Sequence, residues 1–398
     1  MGAFFLTFMQ VTLVDFNATA FYPFTETRPI AQLQMVGGSI SELWTGLLPH
    51  ANFGCLCSDA LSGVYSNQHS NDTVYVDGRV VPNKKMAENL QTLPLNASLV
   101  DEAGRILAYR TSENISSALK TNGNWSGIQA ASTVEIKCDT FVFIESANDL
   151  FLKIGEHFDL FDFDGFPHCD CAAPGVIIIG DDLYAHPEAK IAPGYYDTTS
   201  GPIILDKHAE VSAGAMLKGP MFIGEHAIIK MGAKIYGPTV IGKECRVGGE
   251  VSNCNIGAFS NKGHDGFIGN AVIGEWCNLG ADTNCSNLKN NYSKVNQYNH
   301  KTQSIESTDM LFCGVLMGDH SKTAINTQIN TATVFGAFSN VVCSSFPPKH
   351  LPNFSWFTDK GLFKFELHKA FEMSEAMMAR RNVSLTEETK SLWRFLAQ

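Results

Sequence analysis

No stretch of these 398 residues keeps the roughly 18 uninterrupted apolar side chains that a helix needs to cross a bilayer, so no membrane span is expected. The opening MGAFFLTFMQ is apolar, but it has no basic flank and no small-residue cleavage site. It runs on into VTLVDF and reads as a buried strand, not a secretion signal. Cationic charge is scarce. With 29 Lys and Arg against 40 Asp and Glu, the formal charge is -11, which argues against a phosphate-backbone binder and a nucleic-acid partner. The 11 cysteines include no pair of CxxC motifs, only Cys55 with Cys57 and Cys169 with Cys171. The HCDC run from His168 to Cys171 has soft donors, but no second ligand pair at suitable spacing is evident, and no metal is expected there. Scattered thiols suit a reducing cytoplasm better than a disulfide framework. Without a secretion signal, the Asn-x-Ser/Thr triplets, such as those at Asn96 and Asn124, read as chance.

What is present changes character along the chain. Residues 1–147 mix β-rich runs (VTLVDF, TVYVDG, TFVFIES) with polar and helical pieces, which predicts a small α/β domain. Residues 148–176 read as a linker helix and loop, with Leu150, Phe151, Ile154, Phe158 and Phe161 at helical spacing. Asp159, Asp162 and Asp164 beyond it could be imagined around magnesium, but a solvated loop would look the same and is preferred. From 177 an aliphatic side chain recurs every sixth position: Leu205, Val211, Leu217, Ile223, Ile229, Ile235, Ile241 and Val247. Six residues turn a helix through about 600°, so no helix keeps that period on one face. A strand plus a turn does. Three such hexads make a triangular coil, which predicts a parallel β-helix over residues 177–346, small side chains such as Ala209, Ala215, Ala227 and Ala233 easing its corners. The rhythm breaks twice, over residues 253–272 and 286–314. The second break carries Lys289, Lys294 and Lys301, with no acidic residue from Thr283 to Ile305. The prolines of PPKHLP are expected to end the coil. Residues 347–398 then read as a helical tail closing its open end, with a capping-box pattern at Ser384 and Glu387.

The first break holds SNKGHDGFIG, a histidine between glycines. The run NKGHDGFIGNAVIGEWCNLGADTNCSN resembles the catalytic segment of the left-handed β-helix sugar acetyltransferases, in particular the C-terminal half of the GlmU-like bifunctional family that makes UDP-N-acetylglucosamine. His264, Phe267, Asn278, Leu279, Gly280, Ala281, Thr283 and Asn287 fall at that family's spacing without a gap. FYPFTETRPIAQL, residues 21–33, matches the LLPLTxTRP wording of a bacterial branch. The resemblance implies an N-acetyltransferase that moves an acetyl group from acetyl-CoA, as co-substrate, to a glucosamine 1-phosphate-like amino-sugar phosphate. His264 would be the general base, a role that suits a neutral imidazole, and amides of the glycine-rich turn could stabilise the oxyanion. Glu250, Phe267, Asn278 and Lys234 would hold the acceptor; Ala281, Asn287 and Lys289 would line the acetyl-CoA path. Plainer readings stay open: a corner asparagine for Asn278, a solvated carboxylate for Glu250, solvent-facing lysines. Two departures stand out. The family's acceptor-binding tyrosine is Phe267 here, and the second glycine of its GAGT is Asp282, so the acceptor could differ.

By the same resemblance the N-terminal domain is a reduced nucleotidyltransferase, implying uridylyl transfer to a sugar 1-phosphate with Mg2+ if the domain is active. The family's loop cradles phosphates with glycines. LVDFNATAFYPFTETRPI keeps a strand and Thr27-Arg28-Pro29 but none of those glycines. Arg28 could bind a nucleotide phosphate or hold a turn. A γ-class carbonic anhydrase on the same scaffold would need a His-x4-His pair, which is absent. A non-catalytic regulatory or assembly subunit that binds sugar nucleotides is the remaining alternative; its mark would be loss of the catalytic histidine. The family's shared clefts imply a homotrimer, and the scattered thiols a cytoplasmic one.

Overall fold

The computed structural model describes residues 9–126, 128, 134–170 and 173–398. The first eight residues of the apolar opening and Cys171 of the HCDC run lie outside them. The chain forms two compact units, and the division is not a single cut: residues 19–27 and 34–38 belong to the second unit with 145–398, while 28–33 and 39–144 belong to the first. A boundary at residue 147 therefore misplaces two short pieces. Their side chains explain why. Tyr22 Oη lies 3.0 Å from His350 Nε2, Thr27 Oγ1 donates to Asp319, Asn353 Nδ2 donates to Glu26 at 2.6 Å, and Gln34 Nε2 donates to the Ile256 carbonyl at 3.2 Å. The FYPFTET wording is thus bonded to the second unit, and only the following Arg28-Pro29 returns to the first.

The first unit is an α/β domain around a six-stranded sheet ordered Asn52–Leu56, Gln10–Val14, Thr73–Asp77, Ile106–Thr111, Ala97–Val100, Val134–Lys137. Gln10–Val14 pairs in parallel with both its neighbours. Every residue of QVTLV is buried, as expected for a strand covered on both faces. The carboxyl ends of these parallel strands bring Asp15, Cys57 and Asp77 to one edge, where open α/β sheets usually receive ligands.

The second unit is a left-handed parallel β-helix of about ten turns, with two helices at its C-terminal end. Its core is the expected aliphatic set, from Leu205, Val211 and Leu217 to Ile329 and Val341. Cross-coil register follows the period of eighteen: Leu205 pairs with Ile223, and Ile223 with Ile241. The first expected interruption is not a loop. Ile241 pairs with Ile256, and Ile256 with Ile273. Two full coils of fifteen and seventeen residues continue through it, shortened at their corners. The hexad signal fades there because the coil tightens, and because the inward position that faces Val247 is taken by Lys262. The second interruption is a true insertion: Asn296–Asn299 and Ser304–Ser307 form an antiparallel hairpin, and Ile273 does not find its next partner until Met317.

The coil also outlasts the prolines. Val334–Phe335 pairs with His350–Leu351, and Asn340–Val342 with Ser355–Thr358, which turns back along Gly361–Lys364. The tail helices, Leu367–Ala379 and Glu387–Leu396, lie along a corner and do not cap the open end. That corner stacks Phe259, Trp276, His320, Phe338 and Phe354, the Phe259 and Trp276 rings 4.1 Å apart and the Phe338 and Phe354 rings 4.6 Å apart. Trp393 meets His320 and Phe338 edge-on, and Ser374 Oγ lies 3.2 Å from His320 Nδ1. The expected linker helix becomes two short ones, Asp149–Leu152, which buries Leu150 and Phe151 and packs on the coil strands Glu250–Ile256 and Phe267–Ile273, and Ile154–Leu160, which buries Ile154 and Phe158. Its neighbour His157 is buried and accepts from the Val36 amide at 3.1 Å; burial pushes its pKa down to about 3, so the ring is neutral. Asp159, Asp162 and Asp164 are exposed, and Asp162 Oδ1 accepts from the Asp164 amide.

Candidate functional site

His264 stands where one face of the coil, ending at Asn261–Lys262, turns into the next, starting at Phe267. Its imidazole is exposed and makes no hydrogen bond or ion pair among the described residues. The turn packs closely against the coils on either side. Gly266 has φ +112°, and a Cβ there would sit 2.2 Å from the Thr283 carbonyl oxygen, so only glycine fits. On the preceding coil, a Cβ at Gly249 would lie 2.7 Å from the His264 carbonyl oxygen. On the following coil, the Asp282 amide donates to the Asp265 carbonyl at 3.1 Å.

Stacked corners leave an open cleft of about 650 Å³ beside His264, lined by Lys230, Met231, Gly248, Gly249 and Gly263 on one side and Asp265, Ala281 and Asp282 on the other. Ala281 therefore reaches the cleft directly. Lys230, Asp265 and Lys262 escaped the sequence reading: Lys230 lies outside the resembling run, and Lys262 and Asp265 lie inside it at positions to which the resemblance assigns no role. Asp282, noted only as a departure, puts a second carboxylate beside Asp265. The pair makes this corner attractive to an ammonium group and unattractive to a phosphate.

The other candidates distribute over two faces. Lys234, Glu250 and Phe267 form one column across successive coils. The Lys234 ammonium is 3.6 Å from the Glu250 carboxylate with both side chains substantially exposed, a pair of small energetic weight. The Phe267 amide donates to Asn284 Oδ1 at 2.8 Å. Its ring folds over Gly269, close to Asn287, whose Nδ2 donates to Asn270 Oδ1 at 2.7 Å. Asn278 is on the adjoining face, in register with Asn261 and Lys322. The structure thus brings His264 and Ala281 together, gathers Lys234, Glu250, Phe267 and Asn287 along the neighbouring face, and puts Asn278 in a different sheet. Lys289 stays on the inserted loop, where its Nζ donates to the Lys294 carbonyl at 2.6 Å. Burial and then the neighbouring Lys289 charge lower the Lys349 pKa, while Lys294 pairs with Asp309, so part of the loop's positive charge is neutralised and none of these lysines lines the cleft.

In the first unit, Arg28 is half-buried, two residues before an amide, that of Ile30, which donates to Asp15 Oδ1 at 2.7 Å. Asp15 Oδ2 is shut off from solvent without a hydrogen-bond partner, and burial raises the pKa of this carboxyl to about 7. Asp77 is held in a fork by Arg79 Nε at 2.9 Å and Nη2 at 2.7 Å. A buried, readily protonated acid and an acid occupied by arginine do not suit Mg2+, which asks for ionised oxygens and several waters. Among the described residues no three His, Cys, Asp or Glu side chains are grouped to hold a metal ion. At the HCDC run, His168 Nδ1 is 2.9 Å from the Asp170 carboxylate and its Nε2 contacts the Asp181 carbonyl. Cys55, Cys57 and Cys169 are free thiols. None of the described helices is long and apolar enough to cross a membrane.

Residues 11–166 match the family profile described as sugar nucleotidyl transferase, less than half of the chain. Among solved structures, an Arabidopsis UDP-N-acetylglucosamine acyltransferase is similar at 15% identity and a TM-score of 0.21, over 52% of this chain and 78% of its own. The N-acyltransferase AntD of Bacillus cereus, in a complex with dTDP-4-amino-4,6-dideoxyglucose and coenzyme A, is similar at 14% identity and a TM-score of 0.20, over 52% and 92%. LpxA, a UDP-N-acetylglucosamine acyltransferase of Bacteroides fragilis, is similar at 14% identity and a TM-score of 0.19, over 56% and 96%. No curated protein matches the chain.

Proposed function

We propose that the second unit is an acetyl-CoA-dependent N-acetyltransferase of an amino-sugar phosphate, with glucosamine 1-phosphate as the model acceptor. The observation that carries this reading is the unpartnered imidazole of His264 beside an open, glycine-lined cleft. A general base needs a free nitrogen lone pair within hydrogen-bond reach of the acceptor. The acceptor amine gives its proton to His264 as its nitrogen attacks the thioester carbonyl carbon. The tetrahedral oxyanion takes hydrogen bonds from backbone amides of the corner. The C–S bond then breaks, and the CoA thiolate recovers the proton from the imidazolium, which restores the base and releases CoA with the N-acetyl sugar. Asp265 and Asp282 favour the amine end of the acceptor near His264. The phosphate is better served by the exposed ammonium groups of Lys230 and Lys234. Glu250, Phe267 and Asn287 extend acceptor and pantetheine contacts along the neighbouring face, and Asn278 joins them where a second chain packs alongside.

The test is acetyl-CoA consumption with glucosamine 1-phosphate and with UDP-amino sugars. His264→Ala is expected to lower turnover by roughly 10²- to 10⁴-fold in a folded protein, the usual worth of general acid-base catalysis. Near-full activity in a folded variant removes His264 from the mechanism.

For the first unit we infer a nucleotide-sugar-binding domain with weak or absent transfer activity, Arg28 serving a phosphate. The support is the missing glycines, the Asp77–Arg79 fork and the buried Asp15. Pyrophosphorolysis of UDP-N-acetylglucosamine with magnesium should be slow or undetectable. Robust UTP release that Arg28→Ala abolishes overturns this reading.

A further inference from the structure

We propose that Lys262 is the positioning residue of His264, holding the corner from inside the coil; the proposal rests on the reading of His264 as the base. Lys262 is paired in register with Val247, at an inward position that aliphatic residues fill on neighbouring coils, and it is 1% exposed. The coil itself asks only for an apolar side chain there. Burying an ammonium costs several kcal/mol unless its donors are satisfied, and here all of its acceptors belong to the corner. Nζ donates to the Gly248 carbonyl at 3.2 Å, to the Asp265 carbonyl at 3.1 Å, and to the His264 carbonyl itself. One charged group thus ties the preceding coil to both residues at the tip of the turn. With the carbonyls of 264 and 265 drawn inward, the imidazole is left on the cleft side.

The cage is close-fitting. A Cβ at Gly249 would lie 2.8 Å from Lys262 Nζ as well as 2.7 Å from the His264 oxygen, which leaves no room for the turn to slide. The charges facing Lys262 are the carboxylates of Asp265, in its own turn, and of Asp282, on the following coil; burial outweighs both and lowers its pKa to about 8. The ammonium is therefore present at neutral pH. As pH rises through about 8 it loses one of its three donors, and the hold on the turn slackens.

The experiment uses the full chain with Lys262→Met, which keeps length and apolar bulk and removes the donors. Circular dichroism and thermal unfolding should show an intact coil. The His264 ring resonances, assigned by their loss in His264→Ala, should shift and broaden in Lys262→Met at pH 7. In the native protein they should pass through a step near pH 8 that Lys262→Met lacks. With glucosamine 1-phosphate, kcat should fall by about 100-fold, the scale of a misplacement near 1 Å, KM for acetyl-CoA should stay within about twofold, and Lys262→Arg should recover part of the loss. Unchanged ring resonances in folded Lys262→Met overturn the proposal. If that variant does not fold, the native titration decides: a His264 response that follows the titration of the Lys262 ammonium itself, read from its own side-chain resonances, supports the proposal, and no His264 response across that titration overturns it. If the native protein transfers no acetyl group while the ring resonances respond as described, acyl transfer fails and the positioning role stands.

Discussion

At the residue scale, two ionisable groups with polar atoms shut off from solvent say most about what each unit does. Lys262 hides in the coil core with its donors satisfied, whereas Asp15 sits at the carboxyl end of an interior strand with one carboxylate oxygen satisfied and one not. The Asp15 carboxyl titrates near 7 in the folded chain against an ordinary value of 3.8, so the folded state holds its proton more tightly than the unfolded state does. Its contribution is fully present below the ordinary value and is lost as pH rises through about 7. The first unit should therefore lose about 4 kcal/mol at most between pH 4 and pH 8. Asp15→Asn retains an acceptor for the Ile30 amide and cannot ionise, so it should flatten that decline and raise the melting temperature at pH 8. Melting curves across that range check it; an unchanged slope in Asp15→Asn would assign the decline to other groups. Neither residue was legible in the sequence. Asp15 reads as an ordinary strand-end acid, and Lys262 as a surface lysine in a polar loop, until the register places it against Val247.

At the scale of elements, the hexad rule made the coil readable because it reports a repeating physical need, an inward aliphatic every sixth residue. It failed where that need was met differently. Two coils of fifteen and seventeen residues tighten their corners, and one inward position is a lysine, so residues 253–272 looked like a loop. The continuation past the prolines was hidden for a similar reason: Phe354 and Phe357 serve the coil, but the strands around them no longer keep the spacing. The tail helices were readable as helices from their apolar spacing. Their docking site was not, since an aromatic corner built from residues many positions apart has no local signature. The glycines beside His264 were noticed as a pair, and the structure separates their roles. Gly266→Ala forces a left-handed backbone into strain and drives Cβ into the Thr283 carbonyl, so it should destabilise the coil by about 1–3 kcal/mol. At Gly263 a Cβ would meet nothing within 4 Å. Gly263→Ala should leave the melting temperature unchanged while narrowing the cleft and raising KM. Equal melting temperatures for the two variants would show that the turn relaxes more easily than its packing suggests.

At the scale of the whole molecule, the open side of the His264 cleft has to be explained. One coil supplies a corner and two flat faces, and the candidate acceptor residues are split between them: Glu250 and Phe267 on one, Asn278 on the other. A second coil packed alongside would bring the Asn278 face of one chain to the Glu250 face of its neighbour. The apolar side chains left exposed around this corner fit such a contact: Met231 is 76% exposed, Ile325 67% and Met216 51%. Isolated exposed apolar residues mean little, but a set of them flanking a half-built cleft marks an association surface. A triangular coil has three faces, and a closed ring of three copies gives every cleft the same two walls. We expect a homotrimer of three 43.5 kDa chains, about 130 kDa, with each acetyl-CoA site shared between neighbours. Light scattering at micromolar concentration measures the mass, and the variant pair Met231→Glu and Ile325→Glu tests the surface. Together they should shift the protein toward 43.5 kDa and lower acetyl transfer in step. A stable monomer with full activity would require the cleft's second wall to come from the chain's own insertion at residues 286–314. Lys289 and Lys294 would then be the residues whose loss weakens CoA binding, and the trimer would have no part in catalysis.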